Sequence, residues 1–194
     1  AYPKGTTDFS ALLIKIKSLN PDVIAAGSYF DDAVATTRQM KELDVNPKMF
    51  GVTVGGDDPD FVKQLGKTAE YVYGSTQWAD NVPYPGVKQF VENYKKMFNR
   101  DFSYHAPASW GACQVFAEAI RRANSLDSDK IREQLLKLKM TTAFGDYQVD
   151  ERGFQIAHKM VLLQWQEGQR ITVWPPQLAE RKPIYPTPAW GQRR

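Results

Sequence analysis

Gly66-Lys67-Thr68 ends as a phosphate-binding loop ends. A working loop needs a further glycine five residues earlier, where Phe61 stands, and it must open a helix rather than close one. Gly66 therefore reads as a helix C-cap followed by a solvated Lys67. The stretch Gly51-Val52-Thr53-Val54-Gly55-Gly56 lacks the spacing and the acidic partner of a dinucleotide fingerprint. Its glycines allow close backbone approach, either by a ligand or by the tight turn that ends a strand. His105 and His158 are far apart, and neither His-x-x-x-His nor Gly-x-Ser-x-Gly occurs. Cys113 falls on the apolar face of a helix, where a packed thiol is expected rather than a nucleophile. The sequence thus points away from an enzyme and implies no cofactor and no metal. His105 is a candidate of another kind. Ser103-Tyr104-His105 leads into a helix beginning near Pro107, and free N–H groups at such an end suit a carboxylate. The alternative is a surface cap residue.

The stretch 23–56 must position whatever these residues bind. Val23-Ile24-Ala25-Ala26 is short and apolar, bounded by Pro21 and Gly27, and reads as a buried parallel strand. Asp31 reads as the N-cap of a helix running to Leu43, with Ala33, Val34, Thr37, Met40 and Leu43 at helical spacing. A second apolar run, 49–54, ends in Gly55-Gly56 before an acidic helix start at Asp57 to Asp60. In open α/β sheets ligands lie outside the carboxyl ends of the strands. Ser28-Tyr29-Phe30 and Thr53 to Gly56 are therefore expected side by side on one rim. Tyr29 is either a lid over the sheet edge or a pocket wall.

The rest of the chain supports that sheet. An amphipathic helix is expected over 8–19, with Phe9, Leu12, Leu13, Ile16 and Leu19 on one face. A third helix–strand pair covers 61–68 and 69–74. Three such alternations argue for a parallel α/β sheet. Trp78 then opens a turn-rich crossing segment, either as a plug at a hinge or as part of a site. Helices follow over 87–98, 107–123 and 129–138, the last capped by Asp127 or Ser128. Hairpins are expected for 144–149 with 156–165 across Asp150 to Gly153, and for Ile171 to Trp174 across Glu167-Gly168. The proline-rich tail reads as an extended strap.

Composition agrees with a folded globular domain. Of 194 residues, 42% are apolar and 24% charged, enough for a real core. No run approaches the length of a membrane span. The net charge of +3, with Lys and Arg scattered, argues against nucleic acid. A single cysteine excludes an internal disulfide. The start, Ala1-Tyr2-Pro3-Lys4-Gly5, has no initiator Met and no apolar signal core, and suggests the later part of a longer protein.

Several motifs in order carry a resemblance. Tyr2-Pro3-x-Gly5-Thr6-x-Asp8-Phe9-Ser10, Asn20-Pro21-Asp22, Gly27-x-Tyr29 and Arg38-Gln39 come first. Phe144-Gly145-x-Tyr147-x-Val149-Asp150-x-x-Gly153 and Gln164-Trp165-x-x-Gly168 follow. Together they resemble the leucine/isoleucine/valine-binding family of periplasmic solute-binding proteins, over about the second half of a member. The resemblance implies an incomplete type I periplasmic-binding-protein fold, in which two α/β lobes joined by crossing strands close on a solute. It places 1–78 in the C-terminal lobe and 79–155 in the N-terminal lobe. Residues 156–194 cross back and form the terminal hairpin and strap. It further implies an extracytoplasmic location, periplasmic or lipid-anchored, and delivery of a small-molecule solute to a membrane ABC permease. A ligand-sensing domain of a receptor or regulator is the alternative with the same fold.

By the same likeness Tyr29 stands at the family's ligand-contacting tyrosine, with Ser28 and Phe30 beside it. Thr53 stands where amino-acid binders carry a glutamate for the ammonium, and His105 where they carry an aromatic lid. Trp78 completes the candidate set. A buried ammonium needs a paired carboxylate. With Thr53 in that place, either Asp31, Asp32, Asp57 or Asp58 substitutes, or the solute lacks an ammonium. The helices of 79–155 have apolar faces but few strands to cover them. Association with another chain, as a homo-oligomer or by domain exchange, is the corresponding expectation.

Overall fold

The computed structural model describes residues 1–193. The elements run α1 (Ser10–Leu19), β1 (Val23–Ala26), α2 (Phe30–Glu42), β2 (Met49–Val52), α3 (Asp60–Leu65) and β3 (Tyr73–Thr76). After these come α4 (Val87–Phe98), α5 (His105–Ala123), α6 (Ser128–Lys137), β4 (Met140–Thr141), β5 (Asp146–Tyr147), β6 (Val161–Gln166) and β7 (Gln169–Trp174). Contacts divide the chain into two units, one of residues 1–76 with the chain from Val161 onward, the other Gln77–Met160.

The first unit is a five-stranded sheet in the order β1-β2-β3-β6-β7. β1, β2 and β3 run parallel, whereas β6 pairs antiparallel with β3 and β7 with β6, so the sheet is mixed rather than parallel. Two strands joined by two residues can only return antiparallel. Glu167 and Gly168 make that turn with φ of 55° and 73°, which a Gly-containing two-residue hairpin requires. One sheet face buries Phe9, which precedes α1, Leu13 of α1, Ala33, Val34 and Met40 of α2, Phe61 and Leu65 of α3, and Phe50, Val52, Leu163 and Trp165 of the strands. The expected buried character of β1 needs correction. It is an edge strand, and Val23 and Ala25 alternate outward while Ile24 and Ala26 pack toward the core.

Helix and strand boundaries shift for identifiable reasons. α2 starts at Phe30 with Tyr29 as its cap residue, so Asp31 and Asp32 lie in the first turn, where their negative charge complements the positive end of the helix dipole, instead of capping. α3 closes at Gly66, whose φ is 53°, as its C-cap reading predicts. β3 begins four residues later than the pattern suggests. Tyr71 takes φ 63°, and the buried Glu70 carboxylate accepts the N–H groups of Glu167 and Gly168 at 2.8 and 2.6 Å. The strap is held to this unit by Gln164, whose amide donates to the Ile184 carbonyl and accepts the Ile184 N–H. Trp190 finishes it, donating its indole N–H to Val45 at 2.7 Å.

The second unit is helical with one short ladder, β4 with β5. Asp127 caps α6, its carboxylate accepting the Lys130 N–H. α4 presents Phe90, Tyr94 and Phe98 to a ring cluster with Phe102 and Trp78. The hairpin expected over 144–149 and 156–165 does not form as drawn. Asp150 gathers the N–H groups of Arg152 and Phe154 into a tight turn, and only Val149 bridges Gln155. α5 packs through Pro107, Gly111, Val115 and Ala119, with Gly111 set against Phe144. Its other face leaves Trp110, Cys113 and Phe116 exposed, so the packed thiol expected for Cys113 is not found.

Candidate functional site

The carboxyl ends of β1 and β2 come together as one rim. The Thr53 N–H donates to the Ala26 carbonyl at 3.1 Å, extending the parallel ladder by one bond. Thr53 then closes on the neighbouring chain twice. Its hydroxyl donates to the Ser28 carbonyl at 2.7 Å and accepts the Ser28 N–H at 2.9 Å. Ser28 is buried, and its own hydroxyl donates back to Ala26 at 3.3 Å. Tyr29 follows and is 76% exposed. Phe30, next in line, packs against the core cluster. Of the four candidates in this unit, Tyr29 is presented outward, Ser28 and Thr53 are bound to each other, and Phe30 anchors the start of α2.

The glycines at the end of β2 have a structural use. β2 stops at Val52, and Val54–Gly56 turns as a 3-10 helix instead of continuing the strand. A Cβ on Gly55 would lie 2.5 Å from the Tyr29 carbonyl oxygen and 2.7 Å from the Ala33 Cβ. One on Gly56 would lie 2.6 Å from Val52 Cγ2. The close backbone approach that these residues permit is made by α2 and the sheet.

The acidic residues near the rim are not equally available. Asp57 is buried, and Arg170 donates to its carbonyl at 2.7 Å while lying 3.4 Å from its carboxylate. The Asp58 carboxylate accepts the Asp60 N–H at 2.9 Å. Asp32 takes a long hydrogen bond from the Tyr2 hydroxyl, which also donates to Gly27. Burial, and then the Asp32 charge, push the Tyr2 phenol above its ordinary value. Asp31 is exposed in the first turn of α2.

Trp78 and His105 belong to the other unit. Trp78 is 5% exposed, donates its indole N–H to the Ala143 carbonyl at 2.9 Å, and packs on Phe90 and Phe102. His105 is exposed at the first turn of α5, with Nδ1 2.9 Å from the Ser103 hydroxyl and its ring stacked on Tyr104. His158, expected in a strand, instead lies in the segment before β6. It stacks on Phe144 at 4.5 Å with Nε2 2.7 Å from the Gln77 carbonyl.

Burial pushes the His158 imidazole below the ordinary histidine value, against weaker opposing effects of the Gln77 bond and the Asp146 charge. The folded state then holds fewer protons than the unfolded state, so stability rises with pH across the interval between the two pKa values. The His158 contribution is complete above about pH 6.5, the unfolded value, and is lost as pH falls from there toward the folded one. Melting temperature measured between pH 5 and 7 should therefore drop more steeply for the wild type than for His158→Gln. Parallel curves would remove this assignment.

Sequence reasoning named Gln39 only as part of a motif. In the structure its amide donates to the Thr7 carbonyl and accepts the Phe9 N–H, tying the entry of α1 to α2. A glutamine on a helix carries no spacing signal for such a clamp. Among the described residues no group of three or more His, Cys, Asp and Glu could hold a metal ion. No described helix is long and apolar enough to cross a membrane.

Residues 1–170 match the family model described as periplasmic binding protein. Leu/Ile/Val-binding protein homolog 7 of Brucella suis is 29% identical over 185 residues, which are 90% of this chain and 46% of that protein. Among solved structures, the leucine binding protein LivK of Thermotoga maritima superposes with a TM-score of 0.81 at 28% identity. That match covers 88% of this chain and 49% of LivK. The branched-chain amino acid substrate-binding protein LivJ of Streptococcus pneumoniae, solved in complex with isoleucine, gives a TM-score of 0.75 at 20% identity. It covers 87% of this chain and 48% of its own, a likeness of fold. The chain spans about half the length of the relatives it matches.

Proposed function

We propose, from the premise that this chain belongs to the periplasmic binding protein family, that the full-length protein is the extracytoplasmic solute-binding component of an ABC importer. It binds a small amphipathic solute without chemistry, a hydrophobic amino acid or an aromatic or aliphatic carboxylate. Solute bridging two lobes favours the closed state by as much as its affinity for that state exceeds its affinity for the open one. The closed form is what the membrane permease receives. The observation carrying this reading is the rim at the ends of β1 and β2, where an exposed Tyr29 side chain stands on a backbone held by Thr53. Such a group offers apolar area and a hydroxyl at little entropic cost.

Thermal-shift measurements on the full-length protein test it, with L-leucine, L-isoleucine, 4-methylpentanoate and benzoate as probes. A binder at a hundredfold excess over its dissociation constant stabilises the native state by about 2.7 kcal/mol. At least one probe should raise the melting temperature, and Tyr29→Ala should abolish most of that rise. Leucine and 4-methylpentanoate share a carbon skeleton, so their difference reports whether the site holds an ammonium. No shift with any probe would overturn the assignment of solute class. A full shift in Tyr29→Ala would remove Tyr29 from the site.

A further inference from the structure

We infer that Thr53 is a positioning residue that fixes the backbone of Tyr29 and is not itself a solute contact. The inference rests on the reading of Tyr29 as a wall of the solute site. A threonine hydroxyl has one proton to donate and two lone pairs. Thr53 spends its proton on the Ser28 carbonyl at 2.7 Å and one lone pair on the Ser28 N–H at 2.9 Å. Both backbone polar groups of the residue before Tyr29 are thus satisfied by one side chain from the adjacent strand end. Ser28 is only 4% exposed, so without Thr53 its N–H would be left unpaired away from water.

The same strand end holds Tyr29 from a second side. Gly55 lies so close to the Tyr29 carbonyl that no side chain fits between them, and that carbonyl accepts the Ala33 N–H at 2.9 Å inside α2. The peptide groups on both sides of Tyr29 are therefore fixed while its ring stays exposed. Fixing the backbone in advance lowers the ordering cost at the moment of binding, which is what preorganisation contributes to affinity. Valine at position 53 keeps the shape and loses both bonds. Serine keeps both bonds and loses a methyl group.

The test compares Thr53→Val and Thr53→Ser in the full-length protein, each with Tyr29 and with Tyr29→Ala. It reads amide exchange at Ser28 and affinity for L-leucine and benzoate. Thr53→Val is expected to speed Ser28 exchange by about tenfold and to weaken the binding probe by about tenfold, the scale of one lost hydrogen bond. Thr53→Ser should stay within about threefold of wild type in both readings. In the Tyr29→Ala background Thr53→Val should cost less than about twofold in affinity, because a residue acting through another is not additive with it. Persistence of the full loss in that background would make Thr53 a direct contact and overturn the inference. So would unchanged Ser28 exchange in Thr53→Val. If Tyr29→Ala alone leaves affinity intact, or if neither probe binds, the reading of the site fails. Ser28 exchange then still decides whether Thr53 holds this backbone.

Discussion

Gly55→Ala should unfold about 10 °C below the wild type, while Gly27→Ala on the same rim should be nearly neutral. The two glycines stand at the ends of neighbouring strands, and their surroundings decide the difference. Nothing lies within 4 Å of a Cβ placed on Gly27. On Gly55 the added carbon would meet the Tyr29 carbonyl at 2.5 Å and the Ala33 Cβ at 2.7 Å, inside van der Waals contact with the first turn of α2. Neither neighbour is the loose end of a long side chain. The helix itself must move, against a core in which Ala33 and Val34 are buried. Overpacking of this kind costs about 3 kcal/mol, the upper end of the usual range. For a chain of this size each kcal/mol lowers the melting temperature by about 2–4 °C, so the shift falls within about 6–12 °C. Thermal and urea unfolding of both variants would measure it. A Gly55→Ala protein as stable as Gly27→Ala would mean that α2 does not approach the β2 turn this closely. Loss of solute binding without loss of stability would return Gly55 to the role of a ligand-facing glycine.

That pair of glycines also shows what the sequence could and could not convey. The order of strand, loop, helix, strand, loop, helix over 23–65 follows from apolar runs, breakers and helical spacing, and the parallel pairing of β1, β2 and β3 follows from the crossover helices. The two-residue hairpin at Glu167-Gly168 was legible for a local reason, since its backbone demands residues that tolerate positive φ. Long-range contacts were not. That Gly55 faces α2 rather than a ligand depends on where α2 lies. That Cys113 is exposed depends on which face of α5 finds a partner in its unit, and helical periodicity cannot choose between two apolar faces. Tyr29 was legible as a residue at a strand's carboxyl end. The clamp beneath it was not, because Thr53 and Ser28 are 25 positions apart.

The Gln164-Trp165 dipeptide likewise entered as a motif, and the structure assigns each residue a task, from which the largest expected loss of stability follows. Gln164 faces the strap, and Trp165 faces the core beneath the rim. The Trp165 ring is 2% exposed and stacks on Phe61, and its N–H donates to the Gly56 carbonyl at 2.9 Å. It therefore supports the turn that carries Gly55 and Gly56 from below, while its own backbone N–H donates to the Val72 carbonyl and its carbonyl accepts the Tyr71 N–H. Trp165→Ala removes the ring and leaves a cavity, a loss of about 3–5 kcal/mol. It also strands the buried Gly56 carbonyl, at about 1–3 kcal/mol more. The sum rivals the whole stability of an ordinary domain, about 5–15 kcal/mol, so this variant should be largely unfolded in mild urea. Trp165→Phe separates the two contributions. It retains most of the ring and the stack on Phe61 but not the N–H, and should cost about 1–3 kcal/mol. Urea midpoints that fall equally for the two variants would locate the effect in the hydrogen bond to Gly56. If Trp165→Phe instead matches the wild type, the ring alone supports the rim, and the Gly56 carbonyl must find water once the indole is gone.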